Sequence, residues 1–386
     1  MKYRRVENID LSEVSLDCSW AANRSPQDAK ALVRRALDLG VDFFCALEPA
    51  EATALGESLS DLGARRKAVV SAGIPGFFAA YASHRMTAAE FLEHELADRQ
   101  QRLGGNYIDC FVLDLGGGRS VSLDGVLKEE IQPDVPPRGV APAGFEGGIF
   151  LHETLADSLA VLADFKKKGR IRLSAIAGEN VAAVKRVLVK HESIDLAFVP
   201  YNYAFRAAAS ELLAIAAEVN TAVIATRPLW WGIREIPVTV LAESPYPPDR
   251  ASIAVPAGQL AASACRWPLS EPVVASVLAG ARSPDEVANA ASASGDIHWT
   301  RKDEETLRAV AAVATAQRGI FLVLSAMNSP DPAVRAQGWA ACLRLGLQDF
   351  CYDPAAANAA RSDALRRIAE TAVQTPPPAE DLDELV

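Results

Sequence analysis

From about residue 26 onward the chain alternates short apolar runs with amphipathic stretches of helical period, which with the run at 15–18 makes eight units, and few architectures tolerate that pattern. A strand apolar on both faces must be covered on both. A helix after each strand supplies the cover while carrying the chain back to a parallel neighbour. The runs read as strands over residues 15–18, 41–46, 68–72, 107–114, 171–176, 196–199, 222–226 and 274–278. Several helix starts between them are legible. In Ser25-Pro26-Gln27-Asp28 a hydroxyl caps and proline takes the first helical position, and Thr87-Ala88-Ala89-Glu90 is a capping box. Eight strands with eight crossovers predict a closed (β/α)8 TIM barrel rather than an open sheet.

At 386 residues, 50% hydrophobic, the chain is long enough for one such α/β domain plus an appendage. The barrel is expected over residues 1–320, interrupted after strand four by a long loop at 115–150 rich in glycine and proline. A loop of that length is uncommon unless functional, and its place on the C-terminal rim suits a lid. Residues 321–373 read as a helical extension, opened by Ser329-Pro330-Asp331-Pro332 and carrying Trp339, Cys342, Leu343 and Leu345. The acidic, proline-led residues 374–386 read as disordered.

A net charge of -10 repels phosphate backbones and anionic lipid, so no nucleic-acid or membrane partner is expected. No run approaches the ~18 apolar residues of a membrane span. The charged Met1-Lys2-Tyr3-Arg4-Arg5 start leads into no apolar signal segment. Six dispersed cysteines without a C-x-x-C pair, and five histidines without ligand spacing, point to reduced thiols, no metal and a cytoplasmic location.

A series of short matches runs through the chain in order. It comprises the opening five residues with 11–15, Gly40-Val41-Asp42-Phe43-Phe44, Leu55-Gly56-Glu57-Ser58-Leu59, Leu103-Gly104 with Tyr107-Ile108-Asp109, Lys168-Gly169-Arg170-Ile171-Arg172, Pro200-Tyr201-Asn202, Arg227-Pro228-Leu229 and Gly280-Ala281-Arg282-Ser283-Pro284. Together they resemble the aldo-keto reductase superfamily over roughly residues 1–315. The resemblance implies an N-terminal hairpin closing the bottom of the barrel and a nicotinamide-dependent reductase at its top. It also implies aspartate, tyrosine, lysine and histidine at four positions that here hold Cys45, Ala50, Gly73 and Asp114. The family's tyrosine is a general acid and needs its lysine, because a phenol near its free pKa of ~10 is a poor proton donor.

Cofactor contacts implied by the resemblance differ as well. The Ser-Asn pair after strand five reads Ala177-Gly178, the glutamine after strand six reads Phe198, and the stacking ring after strand seven reads Thr226, with Trp230 and Trp231 close behind. In the phosphate loop Gly280, Arg282 and Ser283 remain, but Glu286 and Asn289-Ala290 replace the family's residues, and a carboxylate there disfavours a 2′-phosphate.

Each candidate has a functional and a structural reading. Asp114 is a mouth carboxylate or the cap of the Gly116–Gly118 turn. Glu48 is a pocket acid or the cap of the next helix. Cys45 is a nucleophile or a small buried apolar residue. Arg227 suits a substrate carboxylate, and Asp17 and Trp20 stand at the end of strand one. Trp230 and Trp231 form a ligand platform or pack a loop over the rim, and His152, the one histidine to test as a general base, is otherwise a surface residue.

Two functional readings follow. The first is a repurposed barrel without redox chemistry or cofactor, either a cofactor-independent enzyme or a binding or assembly subunit. It takes a small molecule in the barrel mouth, a protein partner through the C-terminal extension, or both. The alternative is an NADPH- or NADH-dependent oxidoreductase of aldehydes or ketones with Asp114, Tyr201 or Tyr203 as proton donor.

Overall fold

The computed structural model describes residues 1–21, 24–115, 147–178, 181–191, 193–203, 206, 212–229, 257–295, 299–316, 320–328, 332–344, 352–356 and most of 360–368. Strands β1 (Tyr3–Val6) and β2 (Ile9–Ser12) pair antiparallel as a hairpin. The second hairpin strand therefore ends at Ser12 instead of reaching Ser15, because Ser15 is already committed to the barrel, where it lies opposite Leu278.

The barrel strands are β3 (Val14–Asp17), β4 (Phe43–Ala46), β5 (Val69–Ile74), β6 (Ile108–Asp114), β7 (Ile171–Ala177), β8 (Leu196–Pro200), β9 (Ala222–Thr226) and β10 (Val274–Gly280). All are parallel, each pairs with its successor, and β10 pairs with both β9 and β3, so the sheet closes. The eight runs read from the sequence fall on these eight strands, displaced by two residues or fewer at any end.

The helices are α1 (Pro26–Asp38), α2 (Pro49–Asp61), α3 (Phe77–Ala82), α4 (Ala88–Arg102), α5 (Gly147–Lys167), α6 (Val181–Lys190), α7 (Leu213–Glu218), α8 (Ala257–Leu269), α9 (Pro284–Ala291), α10 (Arg301–Ala316), α11 (Ile320–Met327) and α12 (Pro332–Arg344). Ser25 caps α1 by accepting from the Asp28 N–H at 3.2 Å, and the Thr87/Glu90 box opens α4. The expected loop at 115–150 is shorter at its far end, since α5 begins at Gly147. Residues 116–146 lie outside the described ones, as do Leu345 and the tail at 374–386.

The described residues divide into two compact units. The first is drawn from Met1–Tyr201, Arg206–Arg227 and Pro268–Ile297, the second from Asn202–Phe205, Pro228–Trp267 and His298–Val386. Inside the first, Phe43, Cys45, Val69, Cys110, Val112, Leu173, Ala175, Leu196, Phe198 and Ile224 fill the barrel, while Val6, Ile9 and Leu11 of the hairpin join the same core from its N-terminal end. Buried charge holds the lower half together. Asp109, 1% exposed, accepts from the Val70 N–H at 2.9 Å and from the guanidiniums of Arg65 at 3.3 Å and Arg172 at 2.8 Å, tying β5, β6 and β7 at one point. In the second unit α11 packs on α12, and Asp303 of α10 accepts from Ser263 and pairs with Arg266 of α8.

Candidate functional site

Side chains alternate along a strand, so the lumen-facing series continue upward from Val69 to Gly73, from Cys110 and Val112 to Asp114, from Leu173 and Ala175 to Ala177, and from Ile224 to Thr226. The C-terminal mouth of the barrel, where such folds hold their ligands, is thus ringed by these residues and by Asp17 at the end of β3.

At Gly73 a Cβ would stand 2.1 Å from the Val112 carbonyl oxygen and 2.8 Å from its carbonyl carbon. The Gly73 carbonyl in turn accepts from Nε of the buried Arg99 at 3.2 Å. Asp114 accepts from the Gly76 N–H at 3.0 Å. Gly76 sits at φ 55°, a left-handed conformation glycine adopts without penalty, directly before α3. One oxygen of Asp114 therefore anchors the β5–α3 turn, whereas the turn after it at 116–118 falls outside the described residues.

On the other side of the mouth a polar group gathers where β3, β4 and α2 meet. Asp17 accepts from the Ser19 N–H at 3.0 Å and the Ser19 hydroxyl at 3.1 Å. Burial raises its carboxyl above the ordinary range, against the opposing pull of those two bonds and of the Arg227 charge. Arg227 lies just past β9 at φ 57°, a conformation uncommon for a residue with a side chain.

The third residue of α2 is Glu51, and it was not singled out from the sequence. Helical phase turns Ala50 to solvent and Glu51, 8% exposed, into the structure. Its Oε2 accepts from the Glu48 N–H at 3.1 Å, with Glu48 itself exposed at the N-cap. Burial pushes the Glu51 carboxyl up to about 7, helped by the charges of Asp17 and Glu48 and only partly offset by the bonds to the Glu48 and Leu47 backbone. The signal that could have found it is Glu48-x-x-Glu51, but that spacing reads first as a capping box on the surface.

Cys45 is buried in β4, and burial, then the nearby charges of Asp17 and Glu51, push its thiol well above the ordinary value. Cys18 behaves likewise, and its N–H donates to the Cys45 carbonyl at 2.8 Å. Both are small buried residues of the core. Trp20, 8% exposed, has an indole N–H without a hydrogen-bond partner among the described residues. Tyr201 is buried, and burial followed by the Glu271 charge raises its phenol above the ordinary value. The Tyr203 hydroxyl donates to Glu304 at 2.8 Å within the second unit. Trp230 and Trp231 lie outside the described residues, and His152 falls on α5.

The loop after β10 has its own geometry. Ser283 caps α9, accepting from the Glu286 N–H at 3.2 Å. Glu286 reaches back four residues, accepting from the Arg282 N–H at 2.6 Å and pairing with the Arg282 guanidinium at 3.3 Å. Gly280 is exposed at the end of β10. Among the described residues no three His, Cys, Asp or Glu side chains converge to hold a metal, and no helix is long and apolar enough to cross a membrane.

Eight parallel strands in a closed ring, plugged below by an antiparallel hairpin and polar above, define a (β/α)8 barrel. Residues 15–236 match the sequence profile of the Aldo/keto reductase family, and the chain belongs to that family. Among solved structures it is similar to the aldo-keto reductase AKR11C1 from Bacillus halodurans. Its holo form is 18% identical with a TM-score of 0.57, and its apo form 17% identical with a TM-score of 0.55. Each match covers 80% of this chain and 96% of that one, a likeness of fold alone at such identity. No curated protein matches the chain.

Proposed function

We propose that this member of the family has left nicotinamide-dependent reduction and uses its barrel mouth as a cofactor-independent site for a small molecule, with Glu51 as the group that takes up and releases a proton. The observation that carries the reading is Gly73. Where the resemblance calls for the lysine that activates the proton donor, the backbone itself is closed to any side chain, because a Cβ would lie 2.1 Å from the Val112 carbonyl oxygen. Overlap with backbone has no rotamer to relieve it. The neighbouring replacements support the same reading. Ala50 is an exposed methyl where a phenol is called for, Cys45 is a buried neutral thiol where a carboxylate is called for, and Asp114 is tied to the Gly76 N–H where an imidazole is called for.

Glu51 supplies what those positions lack. A carboxyl with a pKa of about 7 is divided between its acid and base forms at neutral pH, the condition under which proton transfer in either direction is efficient. Asp17, held by Ser19 and facing the Arg227 charge, is the second acidic group of the site. Arg227 gives the mouth a cation suited to an anionic substrate group.

Titrating NADPH and NADH separately against the intrinsic tryptophan fluorescence tests this reading. Neither should give a saturable change up to millimolar concentration, whereas saturation at micromolar levels would sink it. A second reading, an oxidoreductase of aldehydes or ketones, has one observation in its favour. Glu51 directly follows Ala50, so a proton donor of suitable pKa stands one residue from where the phenol is called for.

A further inference from the structure

The loop that the resemblance assigns to a cofactor phosphate is Gly280-Ala281-Arg282-Ser283, leading into α9. A phosphomonoester would need backbone N–H donors at the start of the helix together with the Arg282 guanidinium. The Arg282 N–H and guanidinium already hold an anion that belongs to the chain. The Glu286 carboxylate accepts from the Arg282 N–H through Oε2 at 2.6 Å and meets the Arg282 guanidinium through Oε1 at 3.3 Å, one oxygen for each. The Ser283 oxygen is engaged as well, accepting from the Glu286 N–H at 3.2 Å.

The arrangement is local and does not depend on ligand. Ser283 and Pro284 set the first turn of α9, and the four-residue spacing from Arg282 to Glu286 then carries the carboxylate back over the loop. The residues present do not fit a phosphate here. An incoming dianion would have to displace a charged hydrogen bond and then sit against the displaced carboxylate, a like-charge encounter.

We propose that Glu286 is a built-in counter-anion that fills the phosphate loop, so that the chain rejects phosphomonoester dianions there and discriminates against a 2′-phosphorylated nucleotide in particular. The proposal concerns one loop and stands whether or not the mouth carries redox chemistry.

Isothermal titration calorimetry of adenosine 2′,5′-bisphosphate into the full-length chain tests it, with adenosine 5′-monophosphate as the control lacking the 2′-phosphate. The native chain should bind the bisphosphate no more tightly than the monophosphate. E286A, which empties the loop, should bind the bisphosphate at least tenfold more tightly than the native chain. E286Q, which removes the charge and keeps an acceptor for the Arg282 N–H, should fall between them. Circular dichroism melts accompany each variant, and the ordering of E286Q preserves the test should E286A fold poorly. Native binding of the bisphosphate as tight as that of E286A would overturn the proposal, and so would the absence of any gain in both variants. Saturable NADH binding by the native chain would instead count against the non-redox reading of the mouth and leave this inference standing.

Discussion

Replacing Gly73 with alanine adds a single methyl group to a strand held from both sides. On one side the Val112 carbonyl oxygen would stand 2.1 Å from the new carbon, more than an ångström inside ordinary contact. On the other, the Gly73 carbonyl is engaged by Arg99, itself buried and paired with Glu95 and Asp98. The overlap cannot be relieved by a side-chain rotation, so β5 and β6 must separate, although their ladder runs continuously from Ser71↔Cys110 to Ile74↔Leu113. Overpacking a core costs about 1–3 kcal/mol where side chains can yield, and a clash with backbone belongs at or above the upper end, about 3 kcal/mol. At roughly 2–4 °C per kcal/mol, the melting temperature should fall by about 6–12 °C. Thermal melts followed by circular dichroism would measure it. A G73A protein that melts within about a degree of the native chain would refute the claim that the backbone is closed at this position, and with it the claim that a lysine cannot be restored there by one substitution.

Two further outcomes follow from the same geometry. Glu51 has a folded pKa of about 7, raised from 4.5, so the folded state binds its proton more tightly than the unfolded one; that contribution is complete below about 4.5 and is lost as pH rises through about 7. E51Q should therefore gain stability relative to the native chain by up to about 3 kcal/mol between pH ~4 and pH ~8, read from urea melts at the two pH values, and a gap independent of pH would contradict the buried carboxyl. Asp109→Ala should destabilise by about 3 kcal/mol or more, because Arg65, Arg172 and the Val70 N–H lose their shared acceptor, whereas Asp109→Asn keeps an acceptor for Val70 and should cost less; equal losses in urea denaturation would show that the backbone bond contributes nothing.

How far the chain could be read in advance depended on the range of the physics involved. The barrel was legible because apolar runs with helical spacers form a local, repeated pattern, and each of the eight runs fell on a strand. Helix starts at Ser25 and Thr87 were legible for the same reason, their caps being set within four residues. The resemblance placed a hairpin at the N-terminus, and β1 with β2 forms it, ending at Ser12 before Ser15 enters the barrel.

At the mouth, the resemblance drew attention to positions 45, 50, 73 and 114. Glu51 was not singled out because its surroundings include Asp17 of β3, thirty-four residues away, and Asp114 was weighed without Gly76, thirty-eight residues away.

What the amino-acid order determined alone was the alternation of strand and helix, hence the closed parallel barrel, because hydrophobic periodicity and capping act over a few residues. What only the folded chain decided was the chemistry. Proton affinity at Glu51 and Asp17 and the closed backbone at Gly73 depend on desolvation and contact, which come into being when strands distant in sequence are brought within a few ångströms.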